Sequence, residues 1–303
     1  MGPTLRAWLT HPLTRGLDVN DPRTVHLRRR IIGEKKFLRE IYEEWYARIA
    51  ASLPEGEGEV VEIGSGAGFL RERLPGLITS DVLEYPGVDM TFDAAEMPFA
   101  DGQLRAVVMT NVLHHLPDVR RFFREASRCV REGGRVSMIE PWVTPWSSFV
   151  YTRLHHEPFD AKAAGWTFPA AGPLSGANGA LPWLLFERDR EQFAREFPEW
   201  RVRSVELLMP FRYVASGGFA TRDLMPGWTY GLWRGLDRLF SPWLKTWATM
   251  AHITLDKEAP ARGRGERTNA EGEKANLARR KTEGVEVSAS GGGTVARRAR
   301  ETE

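Results

Sequence analysis

The sequence predicts a doubly wound α/β fold, with a mostly parallel sheet covered by helices on both faces. Three observations predict it. Short runs of strand length and composition recur at 59–63, 77–81, 89–92, 106–110 and 135–139. An amphipathic helical stretch, 118–131, separates the last two. The first run stops at a cluster of glycines, Gly64, Gly66 and Gly68, where the chain leaves a strand for a predicted helix. Strands separated by helices cross over and pair in parallel, which buries both faces of the sheet.

Before the first strand, residues 22–53 read as one helix, with Leu27, Ile31, Phe37, Leu38, Ile41, Trp45 and Ile49 at near-helical spacing among charges. Residues 1–54 are therefore expected to form a helical cap on the α/β domain. Pro54 and Glu55-Gly56-Glu57-Gly58 break the pattern. In 118–131, Val119, Phe122, Phe123, Ala126 and Val130 share one side, and Gly133-Gly134 is read as the helix C-terminus. Beyond Glu140 a Pro-, Gly- and Trp-rich segment runs to about residue 182, followed by a helix at 187–197 and a strand at 202–209. A second irregular, Trp-rich region, 210–247, precedes a last strand at 252–255. Segments 142–182 and 210–247 are read as insertions over the ligand side of a domain spanning 55–256. From residue 257 to 303 there is almost no large apolar side chain, and a disordered tail is expected.

The bulk properties narrow the function. Of 303 residues, 42% are hydrophobic and 27% charged, which suits a folded body with a soluble surface. Residues 257–303 carry eleven basic and eight acidic side chains, +3, so the rest of the chain is −1. A near-neutral body argues against a nucleic-acid partner, which would call for a basic face. The single cysteine, Cys129, excludes an internal disulfide and a cysteine-only zinc site. With no leader-like start and no run of about 18 apolar residues, a cytoplasmic protein is expected.

Taken alone, Glu62-Ile63-Gly64-Ser65-Gly66-Ala67-Gly68 reads either as a ligand loop or as the tight turn of any α/β protein. A dinucleotide loop would need glycine where Phe69 stands rather than at Gly68. The surrounding motifs carry more. Val60 to Gly68, an acid ending the second strand, Asp93-Ala94-Ala95-Glu96-Met97-Pro98-Phe99, Asn111-Val112-Leu113-His114-His115-Leu116 and Gly133-Gly134 come in this order. This succession resembles the class I S-adenosylmethionine-dependent methyltransferases, in particular their small-molecule, type 11-like branch. The resemblance is strong over about eighty residues and looser at the domain edges. It implies a Rossmann-like sheet of seven strands whose last, here 252–255, runs antiparallel.

The resemblance also implies roles. Gly64, Ser65, Gly66 and Gly68 would make room for the methionine part of S-adenosyl-L-methionine, and Glu62 would meet its amino group or order the loop. Asp81, with Glu84 as fallback, would accept from the ribose hydroxyls. Asp93 and Ala94 would face the adenine, although Asp93 also reads as a loop cap. Asn111 and the His114-His115 pair would lie on the rim of the crevice, with His115 a candidate base and helix packing the plainer reading for one of the two rings.

Acceptor-side candidates come from 140–160, where Tyr151, His155, His156, Glu157 and Asp160 cluster. His155 and His156 are expected to contact or deprotonate the acceptor. Two adjacent histidines with two acids could bind a divalent metal, but adjacent side chains on a helix or strand diverge, so no metal site is assigned. Asn178 and Arg188-Asp189-Arg190 form a further polar group, the latter reading as a solvated helix surface. Trp228, Leu232, Trp233, Leu236, Leu239, Phe240, Trp243, Leu244 and Trp247 form an apolar stripe among Arg234, Arg238 and Lys245. Core, a homodimer surface and peripheral membrane contact through 228–247 are its three readings. The expected activity is methyl transfer to a small-molecule or lipid-linked acceptor, with oxygen favoured. An NAD-dependent oxidoreductase and a catalytically silent binding subunit are the alternatives.

Overall fold

Seven strands form one sheet in the order β3-β2-β1-β4-β5-β7-β6. In this computed structural model, which describes residues 11–14, 23–154, 157–169, 176–219 and 221–259, they are β1 Glu59–Ile63, β2 Ile78–Asp81, β3 Met90–Thr91, β4 Leu104–Thr110, β5 Val130–Pro141, β6 Trp200–Leu208 and β7 Met250–Lys257. The first five pair in parallel, and β7 runs antiparallel to both β5 and β6. Strands β1, β4 and β5 lie at the centre and are buried along most of their length, as a sheet covered on both sides requires.

On one face sits the N-terminal helical segment, which is two helices rather than the single one expected. Helix α1 spans Arg23–Glu34 and α2 spans Lys36–Ser52. They part at Lys35 (φ −84°, ψ 83°). Its buried ammonium donates to the carbonyls of Ser216 (2.6 Å), Gly218 (2.7 Å) and Thr221 (3.2 Å), and burial pushes its pKa down to about 8. Helix α2 turns Phe37, Leu38, Ile41, Trp45 and Ile49 onto the sheet, where they pack with Val60, Ala106, Val108 and Ile139.

The helix expected directly after the glycine cluster is a single 3₁₀ turn, Leu70–Glu72. Helix α2 packs there instead: Tyr46 meets Phe69 edge-on at 4.9 Å, and Ala67, Phe69 and Leu70 join the same core as α2.

The opposite face is covered by α3, Val119–Cys129, together with the helical turns of 181–196. Asp118 caps α3 by accepting from the Arg120 N–H (3.0 Å) and the Arg121 N–H (3.3 Å). Phe122 and Phe123 pack with Val61, Met109, Phe186 and Phe193. Helix α3 ends at Cys129, not at Gly133-Gly134. Val130 already pairs with Leu104, and the register then shifts so that Ala106 faces Arg135. The two glycines form this bulge: Gly133 has φ +71°, and a Cβ on Gly134 would come within 2.5 Å of a Val130 methyl.

The two regions expected to be irregular contain helices. Helix α4, Pro145–Leu154, lies in the first. The expected helix at 187–197 begins as a π-turn, Leu184–Arg188, and continues as α5, Arg190–Glu196. Helices α6, Arg212–Ser216, and α7, Tyr230–Leu239, lie in the second, with short turns at Gly227–Thr229 and Ser241–Trp243. Proline and glycine cut these helices too short for a 3.6-residue period to stand out. The Arg212 guanidinium joins three of them, pairing with Asp237 of α7 (2.6 Å) and Glu44 of α2 (2.8 Å). Strand β7 runs on to Lys257, whose ammonium donates to the carbonyls of Ser127 and Val130. The remainder of the expected tail, 260–303, lies outside the described residues. Among the described residues no helix is long and apolar enough to cross a membrane.

The Lys35 contacts fix the angle between α1 and α2, so Lys35→Met strands three carbonyls. We expect a loss of about 2–3 kcal/mol, read as a fall in melting temperature of roughly 5–10 °C by circular dichroism. A fall of under a degree would mean that water replaces the ammonium at no cost.

Candidate active site

The C-terminal ends of β1, β2, β4 and β5 meet at one rim. Where β1 ends, Gly64 takes φ +64°, and a Cβ there would lie 2.6 Å from a Val112 methyl. At Gly68 a Cβ would lie 2.7 Å from the Tyr46 hydroxyl and 2.8 Å from the Ser65 carbonyl. Gly66 differs, since at φ +46° its nearest neighbours are the Gly64 carbonyl at 3.7 Å and Asp81 Oδ2 at 3.9 Å. Two of these glycines are enforced by close packing, and at the third it is the left-handed φ that favours glycine.

Asp81 ends β2 and ties the loop down. Its Oδ2 accepts from the Gly66 N–H and its Oδ1 from the Leu83 N–H, both at 3.0 Å. The Ser65 N–H donates to the Ser80 carbonyl (2.8 Å), and Ser65 Oγ accepts from the Ser80 N–H (3.2 Å). Glu62 is buried beneath the loop. Burial pushes its carboxyl up to about 7, with the nearby Asp81 charge adding to the shift and a hydrogen bond from Ser65 opposing it. Burial also raises Asp81, against the N–H groups that favour its charge. Glu84 is exposed. Asp93, also exposed, accepts from the Ala95 N–H (2.8 Å), the geometry of a loop cap, while Ala94 is buried in the core.

After β4 the chain reverses at Asn111, which is held at φ +56°, an uncommon region for a residue with a Cβ. The Tyr42 hydroxyl of α2 lies near the Asn111 side chain, and burial raises that hydroxyl well above its ordinary pKa. The carboxylate of Glu140, fully buried at the end of β5, organises the turn beyond Asn111. Oε1 accepts from the N–H groups of Val112 and Leu113, both at 2.8 Å, and Oε2 lies 2.6 Å from His114 Nδ1. Burial disfavours charge on His114, but the Glu140 carboxylate outweighs it and the ring is pushed up to about 9.

The neighbouring ring takes the opposite state. Burial, reinforced by the His114 charge, pushes His115 down to about 4. Its Nδ1 lies 3.0 Å from the Gly176 carbonyl, which can only accept, so Nδ1 carries the proton. The two rings lie 4.2 Å apart, and Glu157 faces both, 3.7 Å from His114 Nε2 and 3.8 Å from His115 Nε2. Tyr213 of α6 lies within reach of the charges of Glu157 and Glu140, and its hydroxyl is held well above its ordinary pKa, first by burial.

Residues 61–138 match the family model described as a methyltransferase domain. These residues therefore carry a methyltransferase domain. Among solved structures, the domain and its flanks are similar to geranyl diphosphate C-methyltransferase from Streptomyces coelicolor A3(2), at 14% identity over 82% of this chain and 91% of that one, with a TM-score of 0.46. They are also similar to a possible histamine N-methyltransferase from Thermotoga maritima, at 17% identity over 78% of this chain and 98% of that one, with a TM-score of 0.49. No curated protein sequence matches the chain.

The methyltransferase domain gathers Glu62, Gly64, Ser65, Gly66, Gly68 and Asp81 around one loop, and Asn111, His114 and His115 along the adjoining rim. His155 and His156, the acceptor-side candidates, lie outside the described residues. Asn178 serves the backbone: its Oδ1 accepts from the Asp160 and Ala180 N–H groups, and its own N–H donates to the His114 carbonyl. Arg188 forks onto Asp189 and onto the carbonyls of Ala161 and Ala163, a structural pairing. Residue-by-residue reading overlooked Glu140, Tyr42 and Tyr213. A glutamate ending an otherwise apolar central strand was a signal for the first. The tyrosines left none, since aromatic residues at helical spacing read as core.

Proposed function

We propose that this methyltransferase domain methylates an oxygen of a small-molecule or lipid-linked acceptor held between the His114–His115 pair and α2, α4 and α6. The observation that carries the reading is the asymmetric pair of histidines beside the glycine loop. Paired with Glu140, His114 is charged and fixed, whereas His115 is neutral at pH 7. Its Nε2 is then free of a proton and faces Glu157, so this ring and this carboxylate are the groups that can receive the acceptor's hydroxyl proton. When bound, S-adenosylmethionine supplies an electrophilic methyl on a sulfonium, and the protein's task is to align the acceptor and take its proton.

The residues of the glycine loop fit this cofactor. Gly66 takes a left-handed φ beside Asp81, Asp81 keeps lone pairs for ribose hydroxyls, and Glu62 is a buried carboxylate suited to an ammonium group. Asp93 and Ala94 are kept as the adenine-side candidates on the family resemblance alone, since Asp93 caps its loop and Ala94 is buried in the core. Transfer of labelled methyl from S-adenosylmethionine into small-molecule and lipid extracts, with the modified atom assigned by mass spectrometry, tests the reading. Label on nitrogen or carbon only would overturn the choice of oxygen.

The stripe at 228–247 divides. Trp233 packs inward and Trp247 meets Trp146 and Phe211, while Trp228, Leu232, Leu239 and Trp243 stand out at 84%, 74%, 65% and 57% exposure. The only acid in the segment, Asp237, is buried against Arg212, so its outward charges are Arg234, Arg238 and Lys245. Exposed tryptophan and leucine flanked by cations suit an anionic lipid surface. Co-sedimentation with phosphatidylglycerol vesicles is expected, weakened by salt and lost in the Trp228→Ser, Trp243→Ser double variant. A concentration-dependent dimer that the same double variant abolishes would assign the stripe to a second copy.

Glu62 makes cofactor affinity depend on pH. Without ligand its pKa is about 7, and a neighbouring ammonium lowers it, so binding below pH 7 must expel a proton. Affinity for S-adenosylhomocysteine should therefore fall as pH drops from 8 to 6, approaching tenfold per unit at the acid end. Calorimetry in two buffers of different ionisation enthalpy reads the proton directly, and Glu62→Gln should flatten the profile. A flat profile in the parent protein would remove Glu62 from the ammonium's surroundings.

His155 and His156 remain candidates on the acceptor side. Alanine at each should leave S-adenosylhomocysteine affinity nearly unchanged and lower turnover, by about a hundredfold if that ring is the base. Parent-like turnover in both would end their candidacy.

A further inference from the structure

We propose that His114 Nε2, His115 Nε2 and a Glu157 carboxylate oxygen form a three-ligand site for a divalent transition-metal ion, zinc first by ligand chemistry. The three ligand atoms lie within 4.8 Å of one another. Glu157 stands 3.7 Å from one ring nitrogen and 3.8 Å from the other. A tetrahedral ion with bonds of about 2.0–2.1 Å holds its ligand atoms roughly 3.3 Å apart. The two contacts run to different Glu157 oxygens, and with one ligand atom per residue the separations reach up to 4.8 Å, so the cluster must close by up to about 1.5 Å around an ion.

The second observation is the group that stands behind each ring. A metal-ligating imidazole turns its other nitrogen to a carboxylate or carbonyl, which fixes the ring and selects the tautomer. His114 Nδ1 faces Glu140 Oε2 at 2.6 Å, and His115 Nδ1 faces the Gly176 carbonyl at 3.0 Å. Both outer partners hold Nδ1–H, so both Nε2 atoms are directed to the same point. The objection that neighbouring histidines diverge holds for a regular helix or strand. These two lie in a 3₁₀ turn, Leu113–His115, entered from the left-handed Asn111.

The third ligand is anchored from the opposite side. The Asn178 N–H donates to the His114 carbonyl (2.9 Å), the Gly179 N–H donates to the Pro158 carbonyl (2.9 Å), and the Asn178 amide brackets the backbone of Asp160. One short loop thereby binds the histidine turn and the segment carrying Glu157. Two imidazoles and a carboxylate make an N₂O set for zinc or a similar borderline ion, and three protein ligands leave a position open. On binding, the ion displaces any proton that His114 holds toward Glu157. The open position would take an oxygen ligand. That this oxygen belongs to the methyl acceptor rests on the proposed O-methylation, whereas the metal site itself does not; in the metal-bound state His115 Nε2 and the bound Glu157 oxygen would be ligands and not the acceptors of its proton.

Cobalt(II) is the probe, since its visible absorption reports coordination number and nitrogen ligation. Titrated into the full chain, it should give one saturating equivalent with the intense band of a four-coordinate site. Glu157→Gln keeps the side chain's shape and should hold the melting temperature, yet weaken cobalt by more than the about tenfold to hundredfold typical of losing an outer partner. His115→Ala should do the same. No band, or a band that both variants retain, overturns the site. S-adenosylhomocysteine affinity measured on the same samples separates the two readings. A chain that binds the nucleoside but no cobalt refutes the metal alone, and one that binds cobalt but not the nucleoside refutes the cofactor assignment and leaves the metal standing.

Discussion

The buried carboxylate of Glu140 is the constraint on which the rim depends. The chain leaving β4 must reverse within two residues, and the reversal would leave the N–H groups of Val112 and Leu113 without partners inside the protein. One oxygen of Glu140 accepts both, and the other holds His114. Removing a carboxylate from water costs several kcal/mol, which three short donor contacts offset. Once these atoms are fixed, Val112 is set against Gly64, so the same carboxylate also bears on the glycine loop.

Helix α2 joins the two halves of the site. Tyr46 closes over Gly68 on the cofactor side, and Tyr42 meets Asn111 on the rim. It covers the face on which the shortened turn after β1 leaves room. Its course is set at one end by the Lys35 ammonium and near its middle by the Glu44–Arg212 pair. Both contacts reach the chain around α6, which carries Tyr213 to the same rim. A segment that looks like a cap in sequence is therefore tied to the chain around α6 through two buried cations.

Much of the fold was legible because its signals are local. All seven strands stand where short strand-like runs predicted them, most plainly at the centre of the sheet, where burial on both faces calls for apolar residues. The antiparallel last strand came from the family resemblance. The misleading signals were those with two physical meanings. Gly133-Gly134 read as a helix end because glycine ends helices, but the same freedom serves a bulge. Residues 22–53 read as one helix because the apolar period runs through Lys35, and nothing local shows that three distant carbonyls draw its ammonium inward.

By itself, the sequence determined the strand pattern, the glycine loop with its acids Glu62 and Asp81, and the family to which the 61–138 core corresponds. These rest on contacts between near neighbours or on the period of one element. Only the tertiary structure decided that the two histidines of the rim differ in charge, that Glu157 faces both, and that the Trp-rich segment divides into an inward and an outward face. Each of those depends on groups brought together from distant parts of the chain, where burial and a neighbouring charge set the state of a side chain that its own residue type leaves open.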